Sequence, residues 1–256
     1  LIACRLGKPP ASPFSWALFG ALPPIAPRLR RLLHSACWFL LMDAAALSPA
    51  QAADTRAAIK QDTDLQILSA WIEPRSRILD LGCGRGVLLE FLQNHRQASV
   101  MGVDNDLHKI IACVASGVPA YQGDILEVLN LFPENSFDWV VCSRTIQDLD
   151  QPARVLERAL HVGKRVAVGF VNHGYWLNRW NILWRGHRVQ NEVYPEPWYN
   201  SHPTNPVAVG EFRTFCAAHN ARVVRRAFLA GDWRTPCHFL PRLLAGYAVY
   251  EVVRND

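Results

Sequence analysis

The chain has 256 residues, half of them hydrophobic and only 19% charged, which supports a sizeable core and excludes a disordered chain. That length fits one large domain, or one domain with an appendage. Residues 1–42 hold five Lys or Arg and no acid, so the +5 net charge leaves 22 basic against 22 acidic residues elsewhere, too neutral a surface for a nucleic-acid backbone.

The first segment also carries Pro9, Pro10, Pro13, Pro23, Pro24 and Pro27, so it holds no long helix. Residues 1–41 are expected to be a poorly structured or non-native extension, with the functional chain starting at Met42 and a linker over 42–63. A secretory signal is one alternative, with Arg28, Arg30 and Arg31 ahead of an apolar run, but Asp43 interrupts that run. A transit peptide is the other. No uninterrupted apolar run is long enough to span a bilayer. Seven scattered cysteines (Cys4, Cys37, Cys83, Cys113, Cys142, Cys216 and Cys237) lack metal-finger or redox spacing. They read as buried thiols in a reducing compartment, and a cytoplasmic location is expected.

From residue 64 onward, helical and strand patterns alternate. Leu65, Leu68 and Trp71-Ile72 line one face of a helix that stops before Pro74. A short apolar run from Arg77, read as a strand, ends in the acid Asp80, and Gly82, Gly84 and Gly86 lead into a helix over 87–94. A second strand, 98–103, ends at Asp104; the helix after it, 107–116, should turn Ile110, Ile111 and Val114 inward. A third strand, 118–122, runs into Gly123-Asp124 and a helix over 125–132. A fourth follows at 137–142, a helix at 153–161 behind Pro152, and a fifth strand at 166–170. Strands at 222–228 and 248–253, with a helix over 211–219 ahead of them, close the chain. The pattern predicts a Rossmann-like α/β domain over 64–256, a mostly parallel seven-stranded sheet with helices on both faces.

A helical and loop insertion is expected at about 172–210, where Trp176, Trp180 and Trp184 fall on one stripe of a helix. Such a stripe is ordinarily core; a pocket roof or a partner surface are the alternatives. The connection from 229 to 247, with Pro236 and Pro241, is long for a hairpin and is expected to be mobile.

The chemistry concentrates in the glycine turn, where backbone N–H groups face a polar ligand. Asp80 at the strand end would repel a pyrophosphate and attract an ammonium or sulfonium group, which points to S-adenosylmethionine. Asp104, about 20 residues past the loop, is placed for two ribose hydroxyls. Asp124 is placed for the adenine amine. The expected cofactor site is Asp80, Gly82, Cys83, Gly84 and Gly86, then Asp104 with Asn105, and Asp124 with Ile125. Singly, Asp104 reads as a solvated strand end and Asp124 as a helix cap; jointly they make a strong signal. A nicotinamide site wants G-x-G-x-x-G, and Gly86 comes one residue too early for it. No metal site and no catalytic residue stand out: His173, His187 and His202 are candidate general bases only as isolated loop histidines.

These residues resemble the methionine biosynthesis protein MetW family, from about Asp64 to the C-terminus. The resemblance rests on Asp64-Leu65-Gln66-Ile67, Ile78-Leu79-Asp80-Leu81-Gly82-Cys83-Gly84, Ala112-Cys113-Val114, and Gln122-Gly123-Asp124. It continues through Ser143-x-Thr145-x-Gln147, Asn172-x-Gly174-x-Trp176 and Trp198-Tyr199. Arg85 stands where the family carries an acid. The resemblance implies a class I methyltransferase fold, S-adenosylmethionine as cofactor, and a role in methionine biosynthesis beside homoserine O-acyltransferase (MetX). It implies no methyl acceptor. A stand-alone small-molecule methyltransferase is the alternative reading.

Overall fold

The computed structural model describes residues 62–187 and 204–255. The expected extension over 1–41, most of the linker over 42–63, and the segment from Tyr194 to His202 lie outside the described residues. Seven strands are described: β1 (Arg77–Leu81), β2 (Ser99–Asp104), β3 (Ala120–Gln122), β4 (Phe137–Ser143), β5 (Gly163–Val171), β6 (Ala221–Leu229) and β7 (Tyr247–Arg254). They form one sheet in the order β3-β2-β1-β4-β5-β7-β6. β1 pairs in parallel with β2 and β4, and β5 continues in parallel beside β4. β7 runs antiparallel to both β5 and β6. This is the seven-stranded, mostly parallel architecture the alternation predicts.

The helices are α1 (Thr63–Trp71), α2 (Val87–Arg96), α3 (Leu107–Ala115), α4 (Ile125–Leu129), α5 (Pro152–Val162), α6 (Trp176–Arg185), α7 (Val209–Ala218) and the short α8 (Pro241–Leu244). Alternate strand residues point to opposite faces, so two cores form. Leu79, Leu81, Val140 and Cys142 pack with α4, α5 and α7 on one face. Ile78, Val100, Trp139 and Val141 pack with α1, α2 and α3 on the other.

Local chemistry sets the element ends. Asp106 caps α3 by accepting from the N–H groups of His108 and Lys109, and Pro152 occupies the first turn of α5. In α3 the buried residues are Ile110 and Cys113, while Ile111 is 43% exposed. Its predicted inward orientation is therefore corrected: a helix this short on a sheet edge buries one narrow stripe. α4 stops three residues before the predicted end, because Asn130 already closes its last turn.

One larger difference lies in the second half. No residue of α6 is buried, with Trp180 52% and Trp184 66% exposed, so the tryptophan stripe is surface and not core. The connection between β6 and β7 carries defined turns. Leu229 bridges Pro236, the Ala230 N–H donates to the Thr235 carbonyl at 2.8 Å, and Asp232 accepts from Arg234 and Thr235. Among the described residues no helix is long and apolar enough to cross a membrane.

Candidate functional site

Strand order reverses between β1 and β4, and sheets of this kind bind ligands outside the carboxyl ends of the strands at that point. The loop after β1 lies there. Gly82, Gly84 and Gly86 all have positive φ, at 77°, 56° and 77°, a region that side chains disfavour. Their reasons differ. A Cβ on Gly82 would collide with Thr145 and one on Gly86 with the Cys113 Sγ, whereas one on Gly84 would meet nothing within 4 Å. Gly82 and Gly86 are therefore glycines for packing, and Gly84 leaves open space over the loop.

Two buried carboxylates face that loop, Asp80 and Asp104. The Asp104 carboxylate accepts from the Gly84 N–H at 3.0 Å and from the Asp106 N–H at 2.9 Å. It thus fixes the loop as well as keeping lone pairs for a ligand. Burial, reinforced by the nearby Asp104 charge, pushes the Asp80 carboxyl up to about 7. A cation placed beside it would favour its ionised form. The Cys83 thiol, hydrogen-bonded to Cys113 and buried, is held well above the usual thiol range and is unreactive. Its side chain packs against Gly102 of β2, so only its backbone is left to face a ligand.

The remaining predicted residues join at the ends of β2 and β3. Asn105 is exposed, and its carbonyl accepts from the Gln122 Nε2. The Gly123 N–H donates to the Asp104 carbonyl at 3.0 Å, tying the two loops together. Asp124 is exposed and accepts from the Glu127 N–H at 2.9 Å, so it caps α4 with one oxygen and keeps the other. Ile125 is half-buried against the core below. All nine predicted site residues thus fall along the carboxyl ends of β1, β2 and β3.

The sequence reading missed a polar cluster at the end of β4. Arg144 sits at φ 61°, and its guanidinium grips Asp64 of α1 with two hydrogen bonds, at 2.8 and 2.6 Å. Burial works against the Arg144 charge, but the bonds and field of Asp64 outweigh it and raise the group above its ordinary value. Beside it the Ser143 hydroxyl meets the buried Tyr247 hydroxyl at 3.1 Å. A strained arginine closing on a helix from a distant part of the chain leaves no local sequence signal. Of the candidate bases, His173 is half-buried, His187 is exposed beyond α6, and His202 lies outside the described residues.

The model of the family described as "Methionine biosynthesis protein MetW" matches residues 62–252. The chain belongs to the MetW family. A bifunctional methionine biosynthesis protein MetXA/MetW from Rhodopirellula baltica is 27% identical over 172 residues, covering 64% of this chain and 24% of the relative. A ubiquinone biosynthesis O-methyltransferase from Hahella chejuensis is 32% identical over 96 residues, 36% of this chain and 40% of that protein. The chain thus spans less than half the length of either relative. Among solved structures, a SAM-dependent methyltransferase from Archaeoglobus fulgidus aligns with TM-score 0.55 at 17% identity, over 75% of this chain and 92% of that one. Magnesium protoporphyrin IX methyltransferase from Synechocystis, with bound SAH, aligns with TM-score 0.55 at 14% identity, over 89% and 99%. At these identities the likeness is one of fold, the fold of S-adenosylmethionine-dependent methyltransferases.

Proposed function

We propose that this MetW-family chain binds S-adenosylmethionine over the loop from Gly82 to Gly86 and acts with homoserine O-acyltransferase in forming acylated homoserine. The observation that carries the cofactor half is the open space above Gly84, which no protein atom fills, between buried Asp80 and Asp104. In this reading Asp80 faces the cationic methionine end, Asp104 the ribose hydroxyls, and Asn105, Asp124 and Ile125 the adenine side. The bound group supplies a sulfonium methyl; the chain's own residues orient it.

The partner half is supported by the relative from Rhodopirellula baltica, whose printed name joins MetXA and MetW in one protein. Two activities fused in one chain act at high effective concentration, an arrangement that separate chains reproduce by docking. The exposed tryptophan face of α6 is the surface assigned to that docking, since aromatic residues dominate interface hot spots. The stand-alone methyltransferase reading keeps support from the O-methyltransferase relative.

Calorimetry with S-adenosylmethionine and NADH tests the first half, with binding of the former alone expected. Co-purification with the acyltransferase, and its acyl-transfer rate with and without this protein, test the second. If the acyltransferase neither binds nor changes its rate, while labelled methyl reaches a metabolite in extract, the partner reading fails.

A further inference from the structure

The far edge of the sheet holds a feature that the nucleoside site does not use. Tyr250 of β7 is fully buried, packed among Phe170, Phe212 and Phe228, yet its hydroxyl has no hydrogen-bond partner. A buried, unpaired hydroxyl is costly and native proteins rarely keep one without a reason. Tyr250 lines a cavity of about 570 Å³ between α7 and β6, with Arg213 and Arg226 in its wall. A second cavity of about 700 Å³ shares Arg213 and Arg226 and adds Arg242 and His238.

Three arginines from three elements converge here: Arg213 from α7, Arg226 from β6 and Arg242 from α8. Arg226 is held opposite Tyr250 in the β6–β7 pairing, behind the register shift between Val223 and Arg225. The fields of all three act on the Tyr250 hydroxyl, opposing the burial that pushes it up to about 12. Among the described residues, neither cavity is lined by an Asp or Glu, and none of the three arginines makes an ion pair. The contrast with Arg165 and Arg225 is direct, since both are paired with the buried Glu251 on the same sheet edge. Like charges gathered without a counter-ion repel one another, so the cluster gains most when an anion joins it.

We propose that this groove is a second binding site, for a small ligand bearing a doubly charged oxyanion group, a phosphate ester or a dicarboxylate. The planar guanidinium forks suit either group in bidentate fashion, and Tyr250 donates its hydroxyl from the floor. The arginines are exposed at the rim, so a ligand enters without unfolding the sheet edge. Because β6 runs parallel to β5, its end at Leu229 lies on the carboxyl-terminal side of the sheet. The second cavity, which Leu229 and Thr63 of α1 both line, therefore opens on the same side as the glycine loop.

The test is calorimetry of the full chain with inorganic pyrophosphate and with succinate, in separate titrations, with and without S-adenosylmethionine. One of the two probes binds with one-to-one stoichiometry, and S-adenosylmethionine does not displace it. Arg226→Gln weakens that binding about tenfold or more, as loss of a charged hydrogen bond does. Tyr250→Phe weakens it at least about fivefold, with no fall in melting temperature because the substitution removes an unpaired hydroxyl. Binding of neither probe overturns the proposal. Displacement by S-adenosylmethionine also overturns it, and so does unchanged affinity in both variants.

Discussion

Asp80 and Asp104 share a buried corner beside the glycine loop, and the corner has a pH dependence of definite sign. The Asp80 carboxyl rises from 3.8 to about 7, burial being the main cause. A group raised in this way favours the ligand-free fold while it is protonated. That contribution, on the order of 4 kcal/mol by linkage, is lost as pH climbs from about 4 through 7. A cationic ligand reverses the preference, because it pairs with the ionised form. S-adenosylmethionine affinity is therefore expected to rise roughly tenfold between pH 6 and 7.5. Asp80→Asn, which reports only the ligand's own titration, should lack that rise. Calorimetry across this range checks it, and a wild-type profile parallel to that of the variant contradicts it. Gly84 gives a second test on the same loop. An alanine there meets no protein atom, so Gly84→Ala should lose about 1–2 kcal/mol through its left-handed backbone alone. Binding, by contrast, should fall well over tenfold as the methyl enters the ligand's space. Urea melts and calorimetry separate the two effects. Equal binding by the variant would move the cofactor away from Gly84.

At the scale of elements, one side chain organises the second half of the domain. Asn172 is buried, and its amide donates to the Ala245 carbonyl at 2.7 Å. Its side-chain oxygen accepts from the N–H groups of Gly174 and Val209, at 3.1 and 3.2 Å. It thereby joins the end of β5 to the entry of α6, the start of α7 and the exit from α8. Gln147 extends the same junction, exchanging two hydrogen bonds with the backbone of Val171. Asn172→Ala leaves several buried backbone groups unpaired, and should cost about 3–5 kcal/mol. An unchanged urea midpoint would refute the hub. The strands and helices were legible in the sequence because periods of 2 and 3.6 survive burial on one face or both. The glycine loop with Asp80, Asp104 and Asp124 was legible because each acid ends or follows its own strand. Asn172 was visible only as part of a family motif, since hydrogen bonds to two distant segments, at Val209 and Ala245, leave no periodic trace. Arg144 escaped for the same reason: its partner Asp64 is eighty residues away. The α6 stripe misled because an exposed apolar face has the same four-residue spacing as a core face.

For the whole molecule, the sheet order divides the work. The glycine loop lies at the reversal between β1 and β4, and the arginine groove lies at the opposite edge along β6. α6 leaves the carboxyl end of β5 between them in sequence, and it contributes nothing to either core. The Trp180 and Trp184 rings lie 5.1 Å apart between centroids, tilted at 48°, and Leu183 is 77% exposed. Exposed apolar patches of this kind are where interaction surfaces are sought. Removing exposed side chains costs little stability, so Trp180→Ala combined with Trp184→Ala should shift the unfolding free energy by no more than about 0.5 kcal/mol. If α6 docks the acyltransferase, the same pair should behave as hot-spot residues. Losing at least about 2 kcal/mol of binding corresponds to a roughly thirtyfold weaker complex. S-adenosylmethionine binding should not change, because both side chains stand exposed on α6 and belong to neither core. Co-purification and calorimetry with the acyltransferase read the outcome directly. A double variant that holds the partner as tightly as the wild type assigns the docking to another face and leaves the α6 stripe without this role.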